Sequence, residues 1–306
     1  MRVEVLVKDL KFWLGPARAD FLWMDVACVL LGVGTALTPP RPINLWYVAL
    51  VFIGALAAHV SVNALNEYFD FKSGLDMASE RTPFSGGSGT LRERPELARV
   101  ALGMGLGALA LAGVIGLFFV WKVGWGLLPL GMLGLVTIVL YTPWITRVPL
   151  LNLLATGFGF GLLMINGVNY VLTGHYTWPS FFGSLVMFFQ GNALLLLNQY
   201  PDVEADKMVG RRNLPIVAGR KASSWVYGVL LMAVYASLAV GVALRILPPL
   251  SLILFLTFPL AVATVTGVRR YAEDQPKLVR YLGYNAMLNL ANPALAGLGL
   301  VLAAVL

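Results

Sequence analysis

The sequence predicts an all-α integral membrane protein in which nine transmembrane helices surround a central cavity. Of its 306 residues, 58% are apolar and 12% are charged, whereas about 25% of the residues in soluble domains are charged. The apolar residues form long runs without strict alternation, which favours a helical bundle over a barrel. Because the chain has one cysteine, Cys28, it cannot form a disulfide within itself, and a thiolate metal site is not expected.

Nine apolar runs are about as long as the roughly 20 residues that a helix needs to cross the hydrocarbon core. They lie at about 21–38, 44–64, 99–120, 124–142, 150–173, 180–198, 222–244, 248–267 and 282–304. The N-terminal segment, residues 1–20, has spaced apolar residues with Lys8 and Lys11 between them. This pattern predicts a helix in the membrane interface rather than a signal peptide. The whole chain, 1–306, is interpreted as a single domain.

The positions of Lys and Arg predict the topology, because these residues accumulate in cytoplasmic loops. With the N-terminus in the cytoplasm, only three of the 22 basic residues, Arg41, Lys122 and Arg245, fall on the opposite side. The loops 65–98 and 199–221 are then cytoplasmic, and the C-terminus lies on the other side. The net charge of +7 follows from this topology and does not indicate nucleic-acid binding.

One short motif occurs twice, each time where an apolar run ends. It reads N-E-Y-F-D at 66–70 and N-Q-Y-P-D at 198–202, and a further Asp follows each copy, at Asp76 and Asp206. Four predicted helices separate the copies, and an even offset preserves the orientation of the chain. The repeat therefore predicts two parallel four-helix halves plus a ninth helix, with both motifs facing the central cavity from the cytoplasmic side.

Spacing places the polar residues of each motif on one helix face. On the second helix the stripe comprises His59, Asn63, Asn66 and Asp70, and on the sixth helix Asn198, Asp202 and Asp206. Carboxylates with Asn carbonyl oxygens suit Mg²⁺, which keeps several waters and reaches phosphate oxygens. Nearby bases would meet the negative charge of the phosphate, namely Lys72, Arg81, Lys207, Arg211 and Arg212. The pattern predicts a magnesium-diphosphate site with an apolar cavity behind it.

The two motifs resemble the Asp-rich motifs of the UbiA superfamily of intramembrane aromatic prenyltransferases. The segments L-G-P-A-R-A-D-F at 14–21, R-T-P-F-S-G-G-S-G at 81–89 and Y-T-P at 141–143 are similar to family landmarks, so the resemblance covers most of the chain. The first motif departs from the usual pattern, since Glu67 replaces an Asp and six residues separate Asp70 from Asp76. This wider spacing is similar to the menaquinone branch, which prenylates 1,4-dihydroxy-2-naphthoate.

The resemblance implies roles for individual residues. Mg²⁺ would be held by Asn66, Asp70, Asp76, Asn198, Asp202 and Asp206. The diphosphate would be bound by Lys72, Arg81, Lys207, Arg212 and Arg18. Tyr141 resembles a family tyrosine beside the reacting carbon, and it joins Asp70, Asp76, Asp202 and Asp206 as the catalytic set. The implied reaction moves a polyprenyl group from an isoprenoid diphosphate to an aromatic acceptor within the bilayer, through an allylic cation.

Several alternatives stay open. The acceptor could be 4-hydroxybenzoate, homogentisate, haem, a chlorophyll precursor or a glycerol-phosphate lipid instead of the hydroxynaphthoate. A cation-coupled transporter is the alternative from another class, although such proteins keep their ion sites near mid-membrane. A prenyl-lipid binding protein without turnover is a third. His59 is interpreted as a helix-packing residue or an acceptor contact. Asp25, a short way into the first helix, is left unassigned between a functional role and a pair with Arg18 near the cytoplasmic interface.

Overall fold

Nine apolar helices account for most of the fold. The computed structural model describes residues 12–78 and 86–306, and within these ranges it contains helices and no strands. Residues 1–11 of the predicted interfacial segment, and Arg81 of the predicted diphosphate site, lie outside the described residues. The helices are α1 Trp23–Ala36, α2 Leu45–Ser73, α3 Ala98–Val123, α4 Leu128–Leu140, α5 Pro149–Thr173, α6 Trp178–Asn198, α7 Arg220–Ala243, α8 Pro249–Arg270 and α9 Gln275–Val305.

Eight of these helices, counted with their leading 3₁₀ turns, are long and apolar enough to cross a membrane in the described part of the chain. The exception is α4, which together with its leading turn covers Trp125–Leu140. At about 1.5 Å per residue this helix is shorter than the roughly 30 Å hydrocarbon core. Pro143 lies three positions after the end of this helix, and helical geometry is disfavoured for the residue that precedes a proline. The prediction that the fourth run is a full-length span is therefore not confirmed.

The ends of the helices follow from local sequence. Asn44 begins α2 by accepting hydrogen bonds from the backbone N–H groups of Trp46 and Tyr47, as an N-cap side chain does. Gly74 ends the same helix with φ +80°, a conformation that glycine adopts without the steric cost of a Cβ. The helix thus continues to Ser73, so the predicted loop 65–98 begins as helix.

Small residues allow a close helix contact between α1 and α9. A Cβ placed on Gly297 would lie 2.7 Å from the backbone nitrogen of Leu31, and one on Gly34 would lie 2.8 Å from the Gly297 carbonyl oxygen. Backbones that approach in this way are typical of membrane helix pairs, where packing replaces the hydrophobic driving force. This contact anchors the C-terminal helix against the first.

The predicted cavity is present, with a volume of about 410 Å³. Its lining comes from α1 to α6 and the turns that join them, whereas α7, α8 and α9 contribute no lining residue among those described. The middle of α5, Gly157–Ile165, is wound as a π-helix on the cavity wall. Such segments often occur at functional sites. The cavity therefore lies within the first six helices, and the relation between two four-helix halves stays a prediction, as does the single domain.

We expect Gly297→Ala to destabilise the protein by about 1–3 kcal/mol, because the new methyl group meets rigid backbone and over-packing carries a cost of this size. Thermal unfolding in detergent measures the effect. Gly116→Ala is the matched control, since a Cβ at that helical position meets no atom within 4 Å. Equal melting temperatures for the two variants would contradict the packing assigned to Gly297.

Candidate active site

The polar stripe predicted on α2 faces the cavity. His59, Asn63 and Asn66 line the cavity wall, and Asp70 follows one turn later, near the end of the helix, where it is 6% exposed. The stripe is therefore confirmed as one surface that runs from the middle of the cavity to its polar end.

The second stripe is different from the prediction. α6 ends at Asn198, and Asp202 is the N-cap residue of a separate short helix, Val203–Met208. Pro201 explains the interruption, because proline cannot donate a helical hydrogen bond and restricts the residue before it. The prediction that one helix carries Asn198, Asp202 and Asp206 on one face is wrong.

Arg211 joins the two motifs. Its guanidinium contacts Asp70 of the first motif and lies 3.2 Å from Asp206 Oδ1 of the second. Asn213 Nδ2 donates to the other Asp206 oxygen at 2.7 Å. Although burial alone would lower the pKa of Arg211, the carboxylates of Asp70 and Asp206 raise it, so this side chain is a permanent cation between two carboxylates.

Arg18 forms a second bridge beside the first. Its Nε donates to Glu67 Oε1 at 2.8 Å, and its Nη2 donates to Asn66 Oδ1 at 3.3 Å. Arg18 has φ +52° and lies just before α1, where it also lines the cavity. Of the two alternatives for Asp25, a pair with Arg18 is not formed: the Asp25 carboxylate lies 2.8 Å from His59 Nδ1, because Asp25 faces α2 deeper in the bundle.

The glycine-rich loop after the first motif closes over Glu67. The backbone N–H of Ser88 donates to Glu67 Oε1 at 2.6 Å, and its hydroxyl donates to Oε2 at 2.9 Å. Gly87 has φ +68°, and a Cβ there would lie 3.0 Å from Glu67 Oε1 and 3.3 Å from Asp76 Oδ1. Glycine is therefore required here both by backbone conformation and by close approach. The backbone N–H and the hydroxyl of Ser88 thus bind an anion, and that anion is the protein's own carboxylate.

Some oxygen atoms of the motifs have no protein partner. Asn198 Oδ1 and Asp202 Oδ1 are buried and accept no hydrogen bond from the described residues. Burial, together with the Asp206 carboxylate, raises the pKa of Asp202 to about 7. Burial, together with Glu67 and Asp70, raises the pKa of Asp76 to about 7. These buried acceptors and carboxylates gain from a cation that compensates their charge.

A divalent ion fits this donor set only after some rearrangement. Across 12–78 and 86–306, no three His, Cys, Asp or Glu side chains converge closely enough to hold one ion. Mg²⁺ does not require such a cage, because it typically takes one or two carboxylates, keeps waters and binds substrate phosphates. The partnerless oxygens of Asn198 and Asp202 match that chemistry. We conclude that the residues present fit Mg²⁺ together with a phosphorylated ligand.

The remaining predicted bases lie around this centre rather than in it. Lys72 is exposed, with its Nζ 5.9 Å from the Tyr68 ring centroid. Lys207 is exposed and pairs with Glu204 at 3.0 Å. Arg212 is exposed as well. Their proposed contacts with diphosphate stay predictions.

Tyr141 lies where the cavity meets the charged cluster. It follows the last residue of α4 and lines the cavity. Burial raises the pKa of its phenol, and the neighbouring Arg211 opposes that change. The residue is therefore a neutral hydroxyl on an aromatic ring at neutral pH, near both the basic bridge and the apolar wall.

Sequence reasoning underestimated two residues of the cluster. Arg211 was grouped with the surrounding bases, but Arg212 was preferred for the diphosphate. Arg211 follows Asp206 by five positions, and the short helix Val203–Met208 ends between the two residues. The chain turns back after this helix and brings Arg211 next to Asp206. Glu67 was treated as a departure from the family motif, although a buried carboxylate next to Asn66 needs a partner such as Arg18.

We expect Arg211→Gln to lower the stability of the metal-free protein by about 3 kcal/mol, because removing one partner leaves buried charge uncompensated. Mg²⁺ should raise the melting temperature of this variant more than that of the wild type, since a cation would then replace the lost guanidinium. Arg212→Gln is the control, because it removes an exposed neighbouring charge. The assignment fails if the two variants lose equal stability and respond equally to Mg²⁺.

Comparison with known proteins gives consistent relatives. A model of the UbiA prenyltransferase family matches residues 26–303. The 1,4-dihydroxy-2-naphthoate octaprenyltransferase of Bacillus subtilis is 26% identical over 252 residues, which cover 82% of this chain and 79% of that protein. The 2-carboxy-1,4-naphthoquinone phytyltransferase of Synechocystis is 24% identical over 307 residues, which cover 94% of this chain and 95% of that protein.

Solved structures share the fold. A digeranylgeranylglyceryl phosphate synthase superposes with a TM-score of 0.67 at 15% identity, covering 96% of this chain and 99% of the other. A UbiA homologue from Archaeoglobus fulgidus, bound to DMAPP and Mg²⁺, gives a TM-score of 0.59 at 16% identity, with coverage of 94% and 98%. At these identities the likeness concerns the fold alone.

Proposed function

The chain belongs to the UbiA prenyltransferase family, and from this membership we propose that it transfers a polyprenyl group from an isoprenoid diphosphate to 1,4-dihydroxy-2-naphthoate with the help of Mg²⁺. Membership confirms the predictions of an all-α integral membrane protein and of a prenyltransferase. It also argues against the cation-coupled transporter. The acceptor is proposed because two relatives over most of the chain are named for naphthalene-ring substrates.

The observation that carries this proposal is the position of the charged cluster at one end of the apolar cavity. Asn66 belongs to both, since it lines the cavity and accepts from Arg18. A donor with a charged head and an apolar tail matches this division. The head lies among the carboxylates and guanidinium groups, and the tail lies in a space that excludes water.

The residues that would hold Mg²⁺ are those of the two motifs, Asn66, Asp70, Asp76, Asn198, Asp202 and Asp206. A bound magnesium ion supplies positive charge to the diphosphate leaving group. Arg211 can supply charge of the same kind, because its guanidinium already lies between the motifs. With Mg²⁺ held by Asp70 and Asp206, the Arg211 guanidinium would be free to donate to diphosphate oxygens, for which its planar fork is suited.

The cavity wall protects the reacting carbon. An allylic cation reacts with water, so an apolar enclosure favours transfer to the acceptor over hydrolysis. Aromatic faces stabilise positive charge, and Tyr141 and Phe160 both line the cavity. Tyr141 is the nearer of the two to the charged cluster, where the bond to the leaving group breaks. We infer from the distribution of Lys and Arg that this end faces the cytoplasm, with the C-terminus on the other side.

We expect purified protein to convert geranylgeranyl diphosphate and 1,4-dihydroxy-2-naphthoate to a prenylated naphthoquinol, diphosphate and carbon dioxide, and to do so only in the presence of Mg²⁺. Asp70→Asn and Asp202→Asn should each lower kcat at least about 100-fold, because each removes a carboxylate that would hold the Mg²⁺ whose positive charge stabilises the leaving group. Product formation and diphosphate release are measured together. Asp274→Asn is the control: Asp274 is the exposed N-cap of α9, and asparagine preserves a cap.

The outcomes separate the alternatives. Diphosphate release with another acceptor, but not with the naphthoate, would retain prenyl transfer and change the substrate. Donor binding without turnover on any acceptor would indicate a prenyl-lipid binding protein. Activity that survives both Asp variants would overturn the role of the two motifs.

A further inference from the structure

Two ionisable side chains form a buried pair deep in the cavity, away from the charged cluster. Asp25 of α1 and His59 of α2 are 0% and 4% exposed, and Asp25 Oδ2 lies 2.8 Å from His59 Nδ1. Ionisable groups are expensive within a membrane and are usually retained for function. The reaction as proposed above uses neither residue.

The pair leaves one nitrogen of the imidazole available to a ligand. With Asp25 ionised, its oxygen only accepts hydrogen bonds. His59 Nδ1 then donates the proton, and Nε2 of the neutral ring keeps its lone pair. Nε2 has no hydrogen-bond partner among the described residues, and His59 lines the cavity. Phe160, in the π-helical segment of α5, packs edge-on against the ring at 4.6 Å between centroids. The orientation of the imidazole is thus fixed from two sides.

Three other polar side chains on the cavity wall are already engaged by the protein. Asn63 Nδ2 donates to the Ala17 carbonyl, Asn66 Nδ2 donates to Thr142, and Thr137 donates to the Leu133 carbonyl. A histidine that only held helices together would satisfy its polar atoms within the protein. His59 instead presents an acceptor to a largely apolar space.

The position of His59 matches the size of a fused aromatic ring. Seven residues, or two turns of α2, separate it from Asn66, which corresponds to about 10 Å along the helix axis. One edge of a bicyclic acceptor can therefore lie near the charged cluster while a substituent on the ring system approaches His59. The volume of about 410 Å³ is within the range of small-molecule sites, about 300–1,000 Å³.

We propose that His59 Nε2 accepts a hydrogen bond from a ring hydroxyl of the aromatic acceptor, and that Asp25 positions the imidazole for this contact. This inference rests on the proposed function. An O–H group that donates to nitrogen gains electron density on its oxygen, and the ring passes that density to the carbons ortho and para to the oxygen. The contact therefore orients the acceptor and makes the attacking carbon more nucleophilic. Asp25 is a positioning residue, because it acts through His59.

The test compares three acceptors in wild type and in His59→Phe, which keeps an aromatic ring against Phe160. The acceptors are 1,4-dihydroxy-2-naphthoate and its two monomethyl ethers. One of the two ethers lacks the hydroxyl that donates to His59. We expect the wild-type kcat/KM for that ether to be at least about tenfold lower than the kcat/KM for the other ether, because one hydrogen bond contributes about this much. His59→Phe should lose this difference. An equal loss on all three acceptors would overturn the inference.

Asp25→Asn tests the positioning role. An amide can donate to Nδ1, which moves the ring proton to Nε2 and turns that atom into a donor. We expect the preference between the ethers to fall in this variant as well, while Mg²⁺-dependent binding of geranylgeranyl diphosphate is retained. An unchanged preference in Asp25→Asn would remove Asp25 from the proposal.

A measurement on the wild type keeps the inference testable if both variants fail to fold. The chain contains two histidines, and the second, His175, is exposed in the turn before α6. In protein labelled with ¹⁵N-histidine, 1,4-dihydroxy-2-naphthoate should shift the Nε2 signal of His59 and leave that of His175 unchanged. His175→Gln assigns the signals. The dimethyl ether should cause no shift, and a His59 signal that ignores both compounds would overturn the inference.

The outcomes for the two proposals are distinguishable. If the wild type prenylates none of the three acceptors, the proposed function fails on its own terms. If the wild type is active but the imidazole signal and the ether preference do not depend on the hydroxyl, only the role of His59 fails.

Discussion

The fold depends on how the protein compensates several carboxylates that it buries where helices end. Arg211 bridges Asp70 and Asp206, and Arg18 bridges to Glu67. Buried carboxylates without partners would cost several kcal/mol each, so these two guanidinium groups hold the motifs together across distant parts of the chain. The groups that balance each other in the free protein are the ones that we propose a diphosphate and its cations engage, after Arg211 has moved away from the carboxylates.

The long apolar runs and the duplicated motif were sufficient to predict most of the helices and the position of the charged cluster at one end of the cavity. Local patterns determined these features, since apolar length sets a span and the polar stripe on α2 follows from helical spacing. The interruption after Asn198 was also readable in principle, because Pro201 lies inside the predicted stripe. Sequence spacing alone favours an unbroken helix, whereas Pro201 favours a break.

Other parts of the site depend on tertiary contacts that no local pattern contains. The choice between Arg211 and Arg212 is decided by the turn after Val203–Met208, which directs one side chain inward and the other outward. Asp25 could have paired with a base at the membrane surface, but its partner is His59, 34 positions away. Such pairs depend on which faces α1 and α2 present to each other, and no short segment of the sequence specifies those faces.

The walls of the cavity differ in stiffness, and this difference follows from how α4 and α5 are packed. On α5, a Cβ at Gly157 would lie 1.9 Å from the Phe188 carbonyl oxygen, and one at Gly161 would lie 2.4 Å from its backbone nitrogen. The backbones of α5 and α6 therefore touch, and this wall cannot move without separating two helices. The short α4 has no buried residue, so its outer side rests on lipid, which deforms easily. The two sides of the cavity are therefore selective to different degrees. The side formed by α5 discriminates between ligands by shape, and the side formed by α4 adapts to the ligand that enters from the bilayer.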